Sequence, residues 1–345
     1  MELEEEGVFS SPKATKSSNN FSSKMMNFNE VESELLLNTH HDRLNCLTVV
    51  GNHFVSSYFD SKILFWDVNS DFRRSAEELK GHTGAVFWTT AIDDSHFLSC
   101  SEDTTVRLWS LNRKVSQVIG EHNGYVNHVS LHQKYALSGS ADGTVKLWDL
   151  QKKKDYVAAF RGHSADVTCC ASLSGVNVVS GAADGETKIW DITKEACVDT
   201  IGGKHSVYCM VVISDKLLVR GEGWTGKDIQ VVDLRNSKVS LSLRGHKAEV
   251  KCLHLAVPPL SPATPKSPFL NPNMDNFVNF NFESSRFLMS GSYDKNVCIW
   301  DMRKTEAPLK TLPGHEDVIS SVFFYRERIV TSSWDKTVRS WKVCR

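Results

Sequence analysis

Residues 138–149 read Ser-Gly-Ser-Ala-Asp-Gly-Thr-Val-Lys-Leu-Trp-Asp. A turn signal, Ala141-Asp142-Gly143, is followed by a short β-branched and apolar run, Val145-Lys146-Leu147-Trp148, so the stretch reads as strand, tight turn, strand. The same marks return along the chain. Units close in Trp66-Asp67, Trp109-Ser110, Trp148-Asp149, Trp190-Asp191, Val232-Asp233, Trp300-Asp301 and Trp341-Lys342, at intervals of 43, 39, 42, 42, 68 and 41 residues. Six residues before each Trp stands an Asp: Asp60, Asp103, Asp142, Asp184, Asp294 and Asp335. His40, His82, His122, His163 and His315 precede five of these Asp by 20 or 21 residues, and His246 precedes the sixth by 48 because of an insertion.

A fixed period means one supersecondary unit used repeatedly, each too small to bury a core alone. Four short strands per unit make a blade, and seven units predict an all-β, seven-bladed β-propeller over residues 30–345. The marks recur in register, with Gly-His at 81–82, 162–163, 245–246 and 314–315, and in this the chain resembles the WD-repeat propeller family. The resemblance implies a hydrogen-bonded tetrad in each regular blade: His40/Ser56/Asp60/Trp66, His82/Ser99/Asp103/Trp109, His122/Ser138/Asp142/Trp148, His163/Ser180/Asp184/Trp190, His246/Ser290/Asp294/Trp300 and His315/Thr331/Asp335/Trp341. Independently of the family, an Asp and an indole N–H packed inside a blade are costly unless each finds a partner. These His and Asp are therefore expected to be structural.

The two ends imply how the ring closes. The chain stops four residues after Trp341, so the last blade lacks its outer strand, whereas Glu34-Leu35-Leu36-Leu37 sits three residues ahead of His40, where outer strands sit in the other units. The N-terminal strand is expected to complete the final blade and remove an open edge.

Three segments depart from the repeat. Residues 1–29 are rich in Ser, Asn, Lys and Glu, contain Ser11-Pro12, and are expected to form a disordered tail. The fifth unit is degenerate: it keeps His205, but Gly226 stands at the expected turn Asp and Val232 at the Trp, with Arg220-Gly221-Glu222-Gly223-Trp224 between. The sixth carries an insertion at about 256–285. Six of the nine prolines lie in 258–272, so an extended loop is expected there. Ser261-Pro262, Thr264-Pro265 and Ser267-Pro268 look like proline-directed phosphorylation sites, as does Ser11, and three phosphates on the loop would add about −5 charge.

Composition excludes several classes. Forty Lys and Arg against 41 Asp and Glu leave a net charge of −1, so no bulk field draws the chain onto nucleic acid or an anionic membrane. Nowhere do about 18 apolar residues run together, and the acidic start is unlike a signal peptide, which points to the cytoplasm or nucleus. Nine scattered cysteines suggest buried, reduced thiols. No Gly-x-Ser-x-Gly, Cys-x-x-Cys or His-Glu-x-x-His occurs, and Gly223-Trp224-Thr225-Gly226-Lys227-Asp228 lacks the final Ser/Thr of a phosphate loop. No enzyme activity, metal or cofactor is expected.

The family resemblance also implies which residues surround the central opening. One set is Asn45, Phe87, Asn127, Thr168, Tyr208, Lys251 and Ser320; the other is Phe59, Glu102, Ala141, Ala183, Tyr293 and Trp334. Phe59, Phe87, Tyr208, Tyr293 and Trp334 make this rim aromatic, as peptide-binding hot spots are, with Asn127 and Lys251 as polar neighbours. The absence of Arg from these positions argues against phosphopeptide capture, and an aromatic cage for methyl-lysine is an alternative. On the other face, Trp300-Asp301-Met302-Arg303 resembles the Trp-Asp-x-Arg box of substrate receptors for cullin-4-type ubiquitin ligases, in which the Arg helps dock the ligase adaptor. The expected function is a non-enzymatic scaffold or adaptor, a single propeller within a complex, and more specifically such a receptor; the alternative is a signalling or chromatin-associated scaffold binding a peptide on the aromatic face.

Overall fold

The computed structural model describes residues 31–38, 42–67, 76–151, 156–256, 287–303, 307–325 and 328–343. The N-terminal 29 residues, His40 and the Pro-rich insertion, with Ser11, Ser261, Thr264 and Ser267, lie outside them. The described residues form 28 strands, β1 to β28 in chain order, arranged as seven four-stranded antiparallel sheets. The third blade shows the unit: β10 (Val126–His132), β11 (Tyr135–Ser140), β12 (Thr144–Asp149) and β13 (Tyr156–Arg161). The second strand, β11, is buried at every position after Tyr135, because neighbouring blades cover both of its faces. The outer strand β13 exposes Tyr156, Val157 and Arg161 and turns Ala158 and Phe160 inward.

The last blade is built from both ends of the chain. β26 (Ile319–Tyr325), β27 (Arg328–Ser333) and β28 (Thr337–Val343) are joined by β1 (Val31–Asn38), whose register runs from Val31 opposite Val343 to Asn38 opposite Thr337. The Arg328 guanidinium ties the two together, bonding the Glu34 carboxylate and the Ser340 hydroxyl. The expected ring closure is therefore present.

Apolar packing lies between blades rather than in one central mass. Seven hydrophobic clusters occur, one at each blade-to-blade face; Met289, Ile299, Ile319 and Ile329, for example, join blades six and seven. In blades three, four and six the close approach depends on the glycine after the tetrad Ser, Gly139, Gly181 and Gly291. A Cβ on Gly181 would fall 2.6 Å from Val207 Cγ1 of the next blade and 2.8 Å from Met210 Cε. Overpacking of this kind costs about 1–3 kcal/mol. A Gly181→Val variant is expected to lose that much unfolding free energy in denaturant titration, and an unchanged midpoint would contradict the account.

Five complete tetrads occur among the described residues, as the marks implied. Each His Nδ1 lies 2.7–3.0 Å from its Asp, each Nε2 2.6–2.8 Å from its Ser or Thr hydroxyl, and each indole Nε1 2.7–3.0 Å from that same hydroxyl. Where the imidazole is neutral one orientation satisfies every group: the indole donates to the hydroxyl, the hydroxyl donates to Nε2, and Nδ1–H donates to the carboxylate. The carboxylate also accepts backbone N–H bonds, in blade two from Thr83 and Thr105 at 3.0 Å each. In blade one Trp66 donates to Ser56 at 3.0 Å, and Asp60 pairs with Lys62.

These contacts set a pH dependence. Burial raises the tetrad carboxyls, but hydrogen bonds from His, Thr and backbone N–H outweigh it, so Asp103, Asp142, Asp184 and Asp335 lie below the ordinary 3.8 and Asp294 sits at about 2. Burial lowers His82, His122 and His163 below 6.5, aided by the cations Arg107, Lys146 and Lys188 beside them. His246 differs: burial lowers it, yet the Asp294 hydrogen bond prevails where Cys298 replaces the cation, holding it at about 9. Depressed His and Asp both favour the folded state at high pH. Thermal stability is expected to fall as pH drops below about 6.5, and most steeply from about 4 to 2; a flat melting profile over that range would contradict the assignment.

Candidate functional site at the central opening

The innermost strand of every blade carries a one-residue bulge at its second position. In blade six, β22 (Val250–Ala256) pairs Val250 with Ser292 and Cys252 with Gly291, leaving Lys251 between them. The equivalent bulges fall at Asn45, Phe87, Asn127, Thr168, Tyr208 and Ser320. A bulge re-aims the extra residue. All of these but Ser320, which is fully buried against Ser332, line a central cavity of about 480 Å³.

The second expected set sits at the start of each Asp turn. There the backbone N–H of Phe59, Glu102, Ala141, Ala183, Tyr293 and Trp334 bonds a carbonyl in the His loop of the same blade, at 2.8–3.2 Å. The two sets bring the predicted aromatics together as a continuous arc over blades five, six, seven, one and two. Tyr208 meets Tyr293 at 6.2 Å between centroids, Tyr293 meets Trp334 at 5.6 Å, Trp334 meets Phe59 at 5.6 Å, and Phe59 meets Phe87 at 6.2 Å. Most of these pairs are edge-to-face, a geometry worth about 0.5–1.5 kcal/mol beyond area burial. Each ring is half-buried, with part of its surface toward the opening.

Two members of the arc were not anticipated by the repeat positions. Trp224 extends it at 6.4 Å from Tyr208, is 62% exposed, and has a φ of 33°, with Thr225 at 72°. Left-handed backbone at a bulky and then a β-branched residue is strained, and such strain persists only where the surroundings enforce it. Arg43 lies over Trp334 at 5.2 Å and over Phe59 at 6.0 Å. A guanidinium thus already occupies the faces that a methyl-lysine cage would need. Of the polar candidates, Asn127 donates its amide to Val167 O of the next blade at 3.1 Å, as Asn45 does to Val86 O at 3.0 Å.

Blade five departs from its sequence reading in an instructive way. β19 (Leu217–Glu222) and β20 (Ile229–Asp233) are joined by a turn two residues longer than its counterpart in blade four. Counting back six from Val232 therefore lands on Gly226, whereas Trp224 follows Gly223 as Asp184 follows Ala183. His205 is likewise displaced: Val207 opens its strand as Val167 does, which puts Gly203 at the tetrad His position and leaves His205 bonded to Thr225 Oγ1 at 3.0 Å. The missing His, Ser and Trp are replaced by Arg220, 1% exposed, at the fourth position of its strand. It donates to Gln230 Oε1 (2.9 Å), Thr187 Oγ1 (2.9 Å), Ile201 O (3.2 Å) and Gly202 O (3.1 Å), and Gln230 in turn donates to Glu222. A Cβ on Gly203 would meet Arg220 Nη2 at 2.8 Å. An Arg220→Ala variant orphans these acceptors, of which Thr187 and Ile201 are buried, and leaves Glu222 without its countercharge, and is expected to cost about 3–5 kcal/mol in equilibrium unfolding; a cost under about 1 kcal/mol would contradict this role.

At the opposite end of blade six, Asp301 pairs in register with Phe287 and thereby with Ala256, so both flanks of the insertion lie beside it. Trp300 is a buried tetrad member. Arg303 holds Asp301 in a fork, Nε to Oδ1 at 2.9 Å and Nη2 to Oδ2 at 2.6 Å, with its side chain 56% exposed. Arg235 holds Asp233 of blade five with the same distances.

Among the described residues, several thiols and the imidazoles lining the opening are held away from catalytic pKa values. Burial pushes the thiols of Cys169 and Cys252 to about 12 and Cys209 well above its usual value, and it lowers His128 to about 3 and His254 to about 4. None is poised as nucleophile or base near neutrality. Among the described residues, one group has metal-ligand proximity, His163, Asp184 and Glu186. Both ring nitrogens of His163 are engaged in the tetrad, and Glu186 pairs with Lys188 at 2.8 Å.

The family described as "WD domain, G-beta repeat" matches residues 73–110, 113–149, 154–191, 276–301 and 306–342, half of the chain. The chain belongs to the WD-repeat family, whose propellers are in general non-enzymatic scaffolds for protein interaction. Among curated relatives it is 27% identical over 329 residues to the nuclear distribution protein PAC1 of Ajellomyces capsulatus, covering 88% of this chain and 59% of that protein. It is 24% identical over 275 residues to the ribosome biogenesis protein YTM1 of Coccidioides immitis, covering 77% and 52%. The chain thus spans little more than half the length of these relatives. The crystal structure of the WD40 β-propeller domain of Doa1 matches with a TM-score of 0.72 at 19% identity, over 91% of this chain and 97% of that one, which shows the fold alone.

Proposed function

We propose that this propeller is an adaptor that holds a peptide segment of one protein on its aromatic rim and a second protein on the opposite face near blade six. The observation that carries the reading is the continuous arc from Trp224 to Phe87. Five rings from five blades line one opening, Trp224 extends their arc outward from Tyr208, and partly exposed aromatics lining a depression are what protein-binding hot spots consist of. Phe59, Phe87, Tyr208, Tyr293 and Trp334 would supply the contact surface, with Lys251 beneath them and Asn127 as a clamp between blades.

The more specific reading is a substrate receptor of a cullin-type ubiquitin ligase. Arg303, fixed by the buried Asp301 yet half-exposed, presents a preorganised guanidinium edge for adaptor docking. Ala256 and Phe287, between which the insertion falls, lie beside this position, and phosphates on Ser261, Thr264 or Ser267 would add negative charge to a segment joined there and weaken or redirect docking. Cytoplasm or nucleus is the location such a role requires.

Affinity purification followed by mass spectrometry tests both faces. Wild type is expected to recover a ligase adaptor and cullin, Arg303→Ala to lose them, and Trp334→Ala to keep them while losing substrate partners by about 2 kcal/mol or more of binding energy. Recovery of the adaptor with neither wild type nor variant would contradict the receptor reading.

A further inference from the structure

We infer that the opening receives an acidic side chain, Asp or Glu, from a bound peptide, with Lys251 as its counter-ion and the aromatic arc holding the apolar residues beside it. This rests on the reading of the rim as a peptide platform and names what the peptide must carry. Lys251 is re-aimed by its bulge into the cavity that Tyr208, Tyr293 and Trp334 border, and among the described residues its ammonium has no hydrogen-bond or ion-pair partner. Every other bulge position around the cavity is uncharged. Burial also keeps the cavity thiols Cys169, Cys209 and Cys252 protonated and His128 and His254 neutral. Two carboxylates lie nearby without pairing with Lys251. Asp166 lines the cavity at the exposed rim of blade four, and the charge of Glu249 adds to burial in raising the phenols of Tyr208 and Tyr293. Burial lowers the Lys251 pKa, as for any cation left without a partner inside a cavity, and an incoming carboxylate favours the charged ammonium again.

The surroundings distinguish a side-chain carboxylate from other anions. A chain-terminal carboxylate is captured by free backbone N–H groups. Around this opening the turn N–H groups of Phe59, Glu102, Ala141, Ala183, Gly223, Tyr293 and Trp334 are all spent on carbonyls. The amides of Asn45 and Asn127 and the hydroxyl of Thr168 are likewise committed to carbonyls of the next blade. A phosphate calls for several donors, ideally guanidinium forks. One ammonium and the unpaired indole N–H of Trp334, with the Arg43 guanidinium already lying over the Trp334 and Phe59 rings, fit one carboxylate on an apolar segment.

The test is selection of random displayed peptides on the full chain, followed by titration of the selected sequences as C-terminally amidated synthetic peptides. Wild type is expected to select an Asp or Glu next to aromatic or aliphatic residues, and exchanging that acid for its amide should weaken binding about tenfold or more. A Lys251→Met variant, checked by its melting curve, should bind the acid and amide peptides equally; Lys251→Glu should prefer the peptide with Lys in place of the acid. Trp334→Ala should lose both peptides. Selection of peptides without an acid, an acid-to-amide ratio unchanged in Lys251→Met, or loss of binding on amidating the terminus overturns the inference while Trp334→Ala still reports on the rim. Binding indifferent to Trp334→Ala overturns the rim itself.

Discussion

The structure depends on one constraint: a carboxylate placed in the turn between the second and third strands of a blade has to be satisfied from within the protein. The relay from indole through hydroxyl and imidazole to Asp meets that demand, and in doing so it fixes the distance between the loop that enters a blade and the turn inside it. Position of the entering loop sets where the innermost strand begins, and the bulge one residue later sets where a side chain meets the central opening. The rim therefore inherits its geometry from the buried tetrads. Only the identities of the bulge and turn residues remain free for recognition.

Blade five shows what the constraint tolerates. It has neither the His, the turn Asp nor the Trp, yet it occupies the ring as the others do, because Arg220 spans the gap and bonds acceptors of its own and the preceding blade. Release from the tetrad leaves the turn free to lengthen, and the lengthened turn carries Trp224 outward beside Tyr208. Gly223 makes this arrangement possible: a Cβ there would fall 2.4 Å from the Tyr208 ring. Loss of a structural device in one blade and gain of an exposed aromatic at the rim are thus parts of one local change.

Much of this was legible in the sequence because the repeat encodes it by spacing. Blade number and ring closure by the strand around Leu35 follow from fixed offsets between His, Asp and Trp, and the resemblance to the WD-repeat family assigns the tetrads and both sets of rim residues to those offsets, which hold wherever loop lengths agree between units. Spacing fails where a loop length changes. The two extra turn residues of blade five moved the expected Asp from Trp224 to Gly226, and His205 looked like a tetrad member although Gly203 holds that place. Arg220 carried a signal that offsets do not weigh: an Arg at the strand position that is Ser or Thr in the other six blades. Arg43 and the engagement of Asn127 depend on contacts between blades, for which the period of a single unit carries no information.

The claim on which the account turns is that partners are held at the opening rather than along the exposed outer strands, where Val115, Tyr156 and Val198 also present apolar surface. Hydrogen–deuterium exchange of the full chain, free and in complex with a co-purified partner, addresses it directly. Protection gained in the turns around Phe59, Trp224, Tyr293 and Trp334 is the predicted result. Protection confined to the strands carrying Val115, Tyr156 and Val198, with those turns unchanged, would contradict it.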